Sequence, residues 1–381
     1  MMKSILVIPP SGMTSKTYKR RQSEIAEHLT SFYRVYYLSW QVSEKRDLFS
    51  RIKVAGQDLL RRSAVFREGD LNIVQLPMLR GPFNMAEKYN QVWLSKFIED
   101  LSPNFVFSAS TFLHPLPKRG GLVYCYDFRD IPTTQTDNFL YRKVIRRHVR
   151  GEVMKADFLT AVSHRLVEYV EQEYGRLAYY LPNGVDIAEF EGISQEEVGE
   201  IRERFGIVGK FVIGYIGYFG GWSGLGFAVE VYKKFKGYVE DAVLFVVGSG
   251  EEVDRYRGRS VDGVIFAGAV DQDEIYKYFC SIDVGILTSP LAGFRDYSFP
   301  MKVIEYSAAR KMVVSTPISE LRRIKLPNVI LVEYGTIDGW VAALMKAMET
   351  SWSPSWDEVI KEYDWKRICQ RLVRLLESYA E

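Results

Sequence analysis

At 381 residues, 47% of them hydrophobic, the chain is too long for one ordinary core and fits two domains. A formal charge of +2 is close to balance, so bulk charge argues against a nucleic-acid partner. The cysteines Cys125, Cys280 and Cys369 are scattered, which suits buried thiols in a reducing compartment and excludes a metal-ligand spacing. The apolar run Ile5-Leu6-Val7-Ile8 is too brief for a signal segment, and no apolar stretch is long enough to span a bilayer. The expected location is the cytoplasm, with the inner face of the membrane as the alternative.

Ser4–Ile8 reads as a buried strand and residues 9–12 as a loop ending in Gly12. Residues 16–30 have a helical period, with Ile25, Ala26 and Leu29 inward and Lys16, Lys19, Arg20 and Arg21 outward. Residues 35–38 are a second strand, so the chain opens β-loop-α-β and predicts a parallel sheet. The glycines of a dinucleotide fingerprint are absent, which argues against a cofactor there. Residues 43–67 read as a polar, basic helical stretch and 72–76 as a strand. A helix over 85–101 places Tyr89, Val92, Trp93 and Phe97 on one face, before strands at Phe105–Ser108 and 122–126. Asp127 and Asp130 follow at a strand's carboxyl end, where open α/β sheets bind ligands. Either could serve as a base or hold a hydroxyl; helix capping or a turn is the plainer reading. His114 lies in a similar strand-end loop and is either a site residue or incidental.

Residues 140–155 form a basic amphipathic helix. Ile145, Val149 and Val153 face inward, with Arg142, Lys143, Arg146, Arg147 and Arg150 around them. This is a solvated face or a contact for anionic lipid headgroups or a lipid-linked pyrophosphate. A strand at 158–162, Ser163 as N-cap and a helix to Tyr174 come next. The turn Leu-Pro-Asn-Gly-Val-Asp at 181–186 contains Asn183, and a Glu-rich helix over 194–205 then marks a domain boundary near 190.

The second half repeats the alternation. A strand over 211–216 ends in the turn Gly217-Tyr218-Phe219-Gly220-Gly221-Trp222, whose glycines allow close approach and whose aromatics can stack. A helix with Leu225, Val229, Tyr232 and Phe235 inward follows. Strands at 243–247 and 264–266 end in Gly248-Ser249-Gly250 and Ala267-Gly268-Ala269-Val270. The first of these lacks the lysine of a phosphate loop. Asp271 and Asp273 read as helix-start acids, not as a metal pair. After a helix over 273–280 and the strand Val284–Leu287 comes the most informative stretch, 297–316. Turn residues and Pro300 open a helix carrying Lys302 and Glu305, and Met312-Val313-Val314-Ser315 closes it as a strand. A helix start suits a phosphate, Lys302 can pair with one, and Glu305 can accept hydrogen bonds from a sugar diol. Helices over 338–349 and 356–380 complete the chain.

The motifs at 181–186, 217, 246–250, 266–270 and 299–314, in this order, resemble the group 1, family 4-like glycosyltransferases of the GT-B fold. The Pro-x-Lys-x-x-Glu-Tyr form at 300–306 resembles the subgroup acting on surface polysaccharides and lipid-linked acceptors. The resemblance implies an α/β architecture of two Rossmann-like domains facing across a cleft. These would be 1–190 on the acceptor side, 191–355 binding the nucleotide-sugar, and a C-terminal helix, 356–381, crossing back to the first domain.

It also implies a UDP- or GDP-linked donor, a glycan or lipid-linked acceptor, retention of configuration, and neither metal nor other cofactor. By the same resemblance Glu305 meets the donor ribose and the loop at 268–270 the base. The donor side comprises Glu305, Lys302, Tyr297, Ser298, Phe299, Pro300, Met301, Gly217, Tyr218, Gly248, Ala269, Val270 and Arg295. Asp127 and Asp130 are the catalytic candidates, and Gly12, His114 and Asn183 belong to the acceptor side and cleft. Two departures stand out. Tyr297 occupies the position of the family's first glutamate, with Asp296 beside it as a stand-in, and 217–222 lacks the usual cations. Phosphate charge then falls to Lys302, Arg295 or backbone N–H groups at 299–302. The Tyr297 departure keeps a catalytically inactive sugar-nucleotide or glycan binder as the alternative.

Overall fold

The computed structural model describes residues 2–10, 21–41, 64–77, 83–110, 120–135, 138–256, 261–290 and 296–381. The chain divides into two compact units, Met1–Pro182 with Ile368–Glu381, and Asn183–Arg367.

The first unit is built on β1 (Ser4–Ile8), β2 (Arg34–Gln41), β3 (Ala64–Glu68), β4 (Leu71–Pro77), β5 (Phe105–Ser108), β6 (Val123–Phe128), β7 (Phe158–Ala161) and β8 (Tyr179–Tyr180). Their spatial order is β3-β4-β2-β1-β5-β6-β7-β8, and neighbours pair in parallel except β3 with β4. Ile5, Leu6, Val7 and Ile8 are all buried, the mark of a strand covered on both faces. The helix Phe139–Lys155 buries Ile145, Val149 and Val153 as its spacing predicts.

Three local expectations change. Residues 64–67, read as the end of a helical stretch, belong to the antiparallel edge strand β3, held by β4; residues 43–63 lie outside the described residues. In the helix Phe83–Leu101 the inward stripe is Asn90, Leu94 and Ile98, and Val92 is exposed. In the helix Arg21–Leu29, Arg21 points inward, because a buried carboxylate awaits it. Its guanidinium also donates to the Leu181 and Pro182 carbonyls, at 2.8 and 2.7 Å, so the first unit ends there and not near 190.

The second unit is built on β9 (Phe211–Tyr218), β10 (Ala242–Ser249), β11 (Val264–Gly268), β12 (Val284–Leu287), β13 (Met312–Ser315) and β14 (Val329–Leu331). The order is β11-β10-β9-β12-β13-β14, all parallel. It reverses direction between β9 and β12, which defines a topological switch point. The helix Leu225–Lys236 covers one face with Leu225, Val229, Tyr232 and Phe235. The tail is two helices, Ser355–Lys361 and Trp365–Ser378, and not one. Val185 interrupts it: its N–H donates to the Tyr363 carbonyl at 2.9 Å, and its own carbonyl accepts from Trp365 N–H at 3.1 Å. Within the first unit, the residues from Ile368 onward bury Ile368, Cys369, Leu372 and Leu376, and Glu377 pairs with Lys3.

Candidate functional site

The carboxyl ends of β9 and β12 are where an open parallel sheet leaves room for a ligand. These strands stay in register only at Ile213 with Val284 and Gly214 with Gly285. Tyr306 explains why. Its hydroxyl donates to the Gly214 carbonyl at 3.1 Å and accepts from the Ile216 N–H at 2.8 Å. Its ring fills the space above Gly285, where a Cβ would lie 2.5 Å from the ring. A side chain thus satisfies main-chain groups of β9 while the strands part. Burial pushes the phenol far up, so the hydroxyl stays neutral.

Tyr306 belongs to the helix Met301–Ala308, which buries Val303, Ile304, Tyr306 and Ser307. Lys302 and Glu305 are left on the open side, 33% and 19% exposed, with Lys302 Nζ 2.8 Å from Glu305 Oε2. The approach is too oblique for a hydrogen bond, and Oε2 accepts from no donor. The ammonium stands 5.3 Å over the Phe279 ring. Its methylenes face Gly217, where a Cβ would lie 3.7 Å from Lys302 Cε. A half-buried pair that makes no hydrogen bond adds little stability, whereas a braced ammonium near a helix start can receive an anion.

The main chain at this helix start is partly used already. Met301 N–H donates to the Phe299 carbonyl and Val303 N–H to that of Pro300, both at 3.0 Å. Pro300 has no N–H, so the cradle expected at 299–302 reduces to the N–H groups of Phe299 and Lys302. The other helix start near the glycine turn is occupied from within. Leu225 N–H donates to Glu252 Oε2 at 2.9 Å, and the Ser223 hydroxyl donates to the same carboxylate. The chain's own anion fills that position.

Gly248 lies opposite Gly217 in the β9–β10 register. A Cβ at Gly248 would sit 1.8 Å from the Gly217 carbonyl oxygen, and one at Gly250 would sit 2.4 Å from that of Phe219. Strand packing alone therefore requires glycine at both. Tyr218 and Ala269 are exposed and Val270 half-buried at neighbouring strand ends. Tyr297, Ser298 and Met301 are half-buried, while Phe299 and Pro300 are buried, Phe299 beside Tyr363 with centroids 5.9 Å apart. Asp296 is not available as the glutamate stand-in. It accepts from the Ser319 N–H at 3.3 Å and from the Ser319 hydroxyl, and so caps the helix Ser319–Ile324. Asn183 is half-buried in the second unit. Gly12, His114 and Arg295 lie outside the described residues.

In the first unit Asp127 is not a free base. Its side chain is 0% exposed. Arg21 donates to both oxygens at 2.8 and 2.9 Å, Thr160 donates at 2.8 Å and Gln22 at 3.3 Å. A carboxylate so surrounded holds β6, β7 and the helix Arg21–Leu29 together. Asp130 is partly exposed, 3.9 Å from Arg129, and lines a small concavity with Tyr126, Arg129 and Pro132. Among the described residues no group of three His, Cys, Asp or Glu side chains could hold a metal ion. Arg21, Glu252 and Tyr306 are the residues that sequence reasoning missed. Of these only Tyr306 carried a signal, as the residue after Glu305 in the motif.

Residues 210–350 match the family model described as Glycosyl transferases group 1. Over 311 residues the chain is 24% identical to TuaH of Bacillus subtilis (strain 168), a protein named for teichuronic acid biosynthesis as a glycosyltransferase; the alignment covers 74% of this chain and 75% of that one. A glycosyltransferase structure from Rickettsia africae ESF-5 superposes with a TM-score of 0.70 at 15% identity, covering 100% of this chain and 99% of that one. HepE of Anabaena, solved with UDP and glucose, gives 0.68 at 14% identity, covering 99% and 100%. The fold is therefore GT-B, and with the family match it defines an enzyme of the GT-B glycosyltransferase type.

Proposed function

We propose that this chain transfers a sugar from a UDP- or GDP-linked donor to a hydroxyl of a glycan or lipid-linked acceptor, with retention and without a metal. The Lys302–Glu305 pair, standing open beside the crevice that Tyr306 holds apart, carries this reading. As the bond to the sugar breaks, negative charge gathers on the departing diphosphate, and Lys302 and the helix start meet it. The half-buried Glu305 carboxylate, whose enclosed Oε2 has no hydrogen-bond donor, is proposed to turn toward a ribose diol and accept from it. Asp130 is the group proposed to take the acceptor proton, since Arg21 engages Asp127. The UDP and glucose in the HepE complex and the name of TuaH support a nucleotide-sugar donor and a surface-polysaccharide acceptor.

The helix Phe139–Lys155 supports peripheral binding at the inner face of an anionic membrane. Arg142, Lys143, Arg146, Arg147, Arg150 and Lys155 are exposed, with Phe139 and Leu140 exposed at its start. Among the described residues no helix is long and apolar enough to cross a membrane. Co-sedimentation with phosphatidylglycerol vesicles, and not with phosphatidylcholine vesicles, is expected.

A thermal-shift panel of UDP-, GDP-, ADP- and dTDP-sugars tests the donor assignment, because a ligand bound only by the folded state raises Tm. One nucleotide class should raise Tm, and Glu305→Ala should abolish most of that rise. An unchanged rise in Glu305→Ala refutes the proposed role of Glu305.

A further inference from the structure

We propose that Tyr218 and Trp222 form a stacking platform for a pyranose ring at the mouth of the β9–β12 crevice; this rests on the donor-site reading above. Tyr218 is the last residue of β9, and Trp222 lies four residues on in the turn before the helix Leu225–Lys236. They are 62% and 43% exposed, unlike their neighbours Phe219 and Ser223, which are buried. Their rings are tilted to each other with centroids 6.2 Å apart. The indole of Trp222 lies against Gly220, where a Cβ would come within 2.7 Å of the ring. One face of the indole is thus backed by main chain, and its remaining exposure is that of a supported flat surface.

The chemistry of the loop points the same way. From Gly217 to Ser223 it contains no charged side chain, so it offers an anion no counter-charge. The charge needed for a diphosphate stands beneath, where Lys302 packs against Gly217. A ring of C–H groups that extends from the diphosphate meets two aromatic surfaces. Sugar rings present such apolar faces, and tyrosine and tryptophan supply large rigid contact area with a polar edge for neighbouring hydroxyls. The pyranose is either the donor's own sugar or a sugar of the acceptor.

The test is calorimetric titration of the full chain and of Trp222→Ala, Trp222→Phe and Tyr218→Ala. Titrants are the nucleoside diphosphate identified by the thermal-shift panel, its sugar conjugate, and maltohexaose. Trp222→Ala should weaken the sugar conjugate or maltohexaose by about tenfold, and Trp222→Phe by much less, with the free diphosphate unchanged. Weakening confined to the conjugate assigns the platform to the donor sugar; weakening of maltohexaose assigns it to the acceptor. Unchanged affinity for both sugars, or an equal loss for the free diphosphate, overturns the platform while leaving the donor site intact. A wild-type chain that binds no nucleotide overturns the donor-site reading, and the platform with it.

Discussion

Two ion pairs, one in each unit, look alike as residue types and differ in nearly everything else. Arg21 and Asp127 are enclosed, and every donor around the carboxylate is directed at it. Lys302 and Glu305 meet obliquely in partial solvent, and one carboxylate oxygen has no donor. The first arrangement has no valence left for a substrate, so its role is to hold three elements together. The second is weak as a bond and for that reason available. Charge type alone does not separate the two; satisfied hydrogen bonding does.

The largest effect expected from breaking this contrast is in the first unit. Asp127→Ala strands a buried guanidinium and should cost about 3–5 kcal/mol in urea denaturation; a cost within experimental error would show the pair is not structural. Tyr306→Phe leaves the Gly214 carbonyl and the Ile216 N–H without their partner, and should cost about 1–3 kcal/mol, with a parallel fall in nucleotide affinity.

Next comes a pH effect. Burial pushes the Glu152 carboxyl from 4.5 up to about 8, where it also receives the Tyr124 hydroxyl. Between these two values the folded chain holds a proton that the unfolded chain has lost. This group therefore stabilises less and less as pH rises from about 4.5 to about 8, and its contribution then levels off. Glu152→Gln should flatten that part of the Tm-versus-pH curve; an unaltered slope would rule out Glu152 as its source. Smallest for stability is Glu305→Ala, expected to move unfolding by no more than about 1 kcal/mol even as nucleotide binding drops. A larger loss would make the second pair structural too, and remove the distinction.

The sheets were legible because strand and helix periods alternate plainly, and Val284–Leu287 was readable to the residue. The placement of Lys302 and Glu305 together on one helix was legible for a local reason: one helix start sets both. Asp127 misled because its partner is 106 positions away, in a helix whose apolar stripe gave no sign that Arg21 would face inward. Asp296 misled similarly, since its partner Ser319 lies 23 positions on, beyond the helix Met301–Ala308 and β13. The glycines were seen as places for a ligand, yet Gly248 and Gly250 answer first to the carbonyls of the adjoining strand segment. The tail read as one helix because its period runs on; a bridge from Val185 divides it, and Asp364 Oδ1 accepts from the Lys366 N–H at 2.7 Å at the start of the second helix.

Tyr306 has one more consequence. Parting two strands inside a buried sheet leaves main-chain groups on each that water cannot reach, and such groups are costly unless paired. By lending its hydroxyl to both an acceptor and a donor of β9, this residue pairs those groups without closing the gap. A phenylalanine there would leave the Gly214 carbonyl and the Ile216 N–H unpaired inside the protein, so the opening itself depends on one phenolic oxygen.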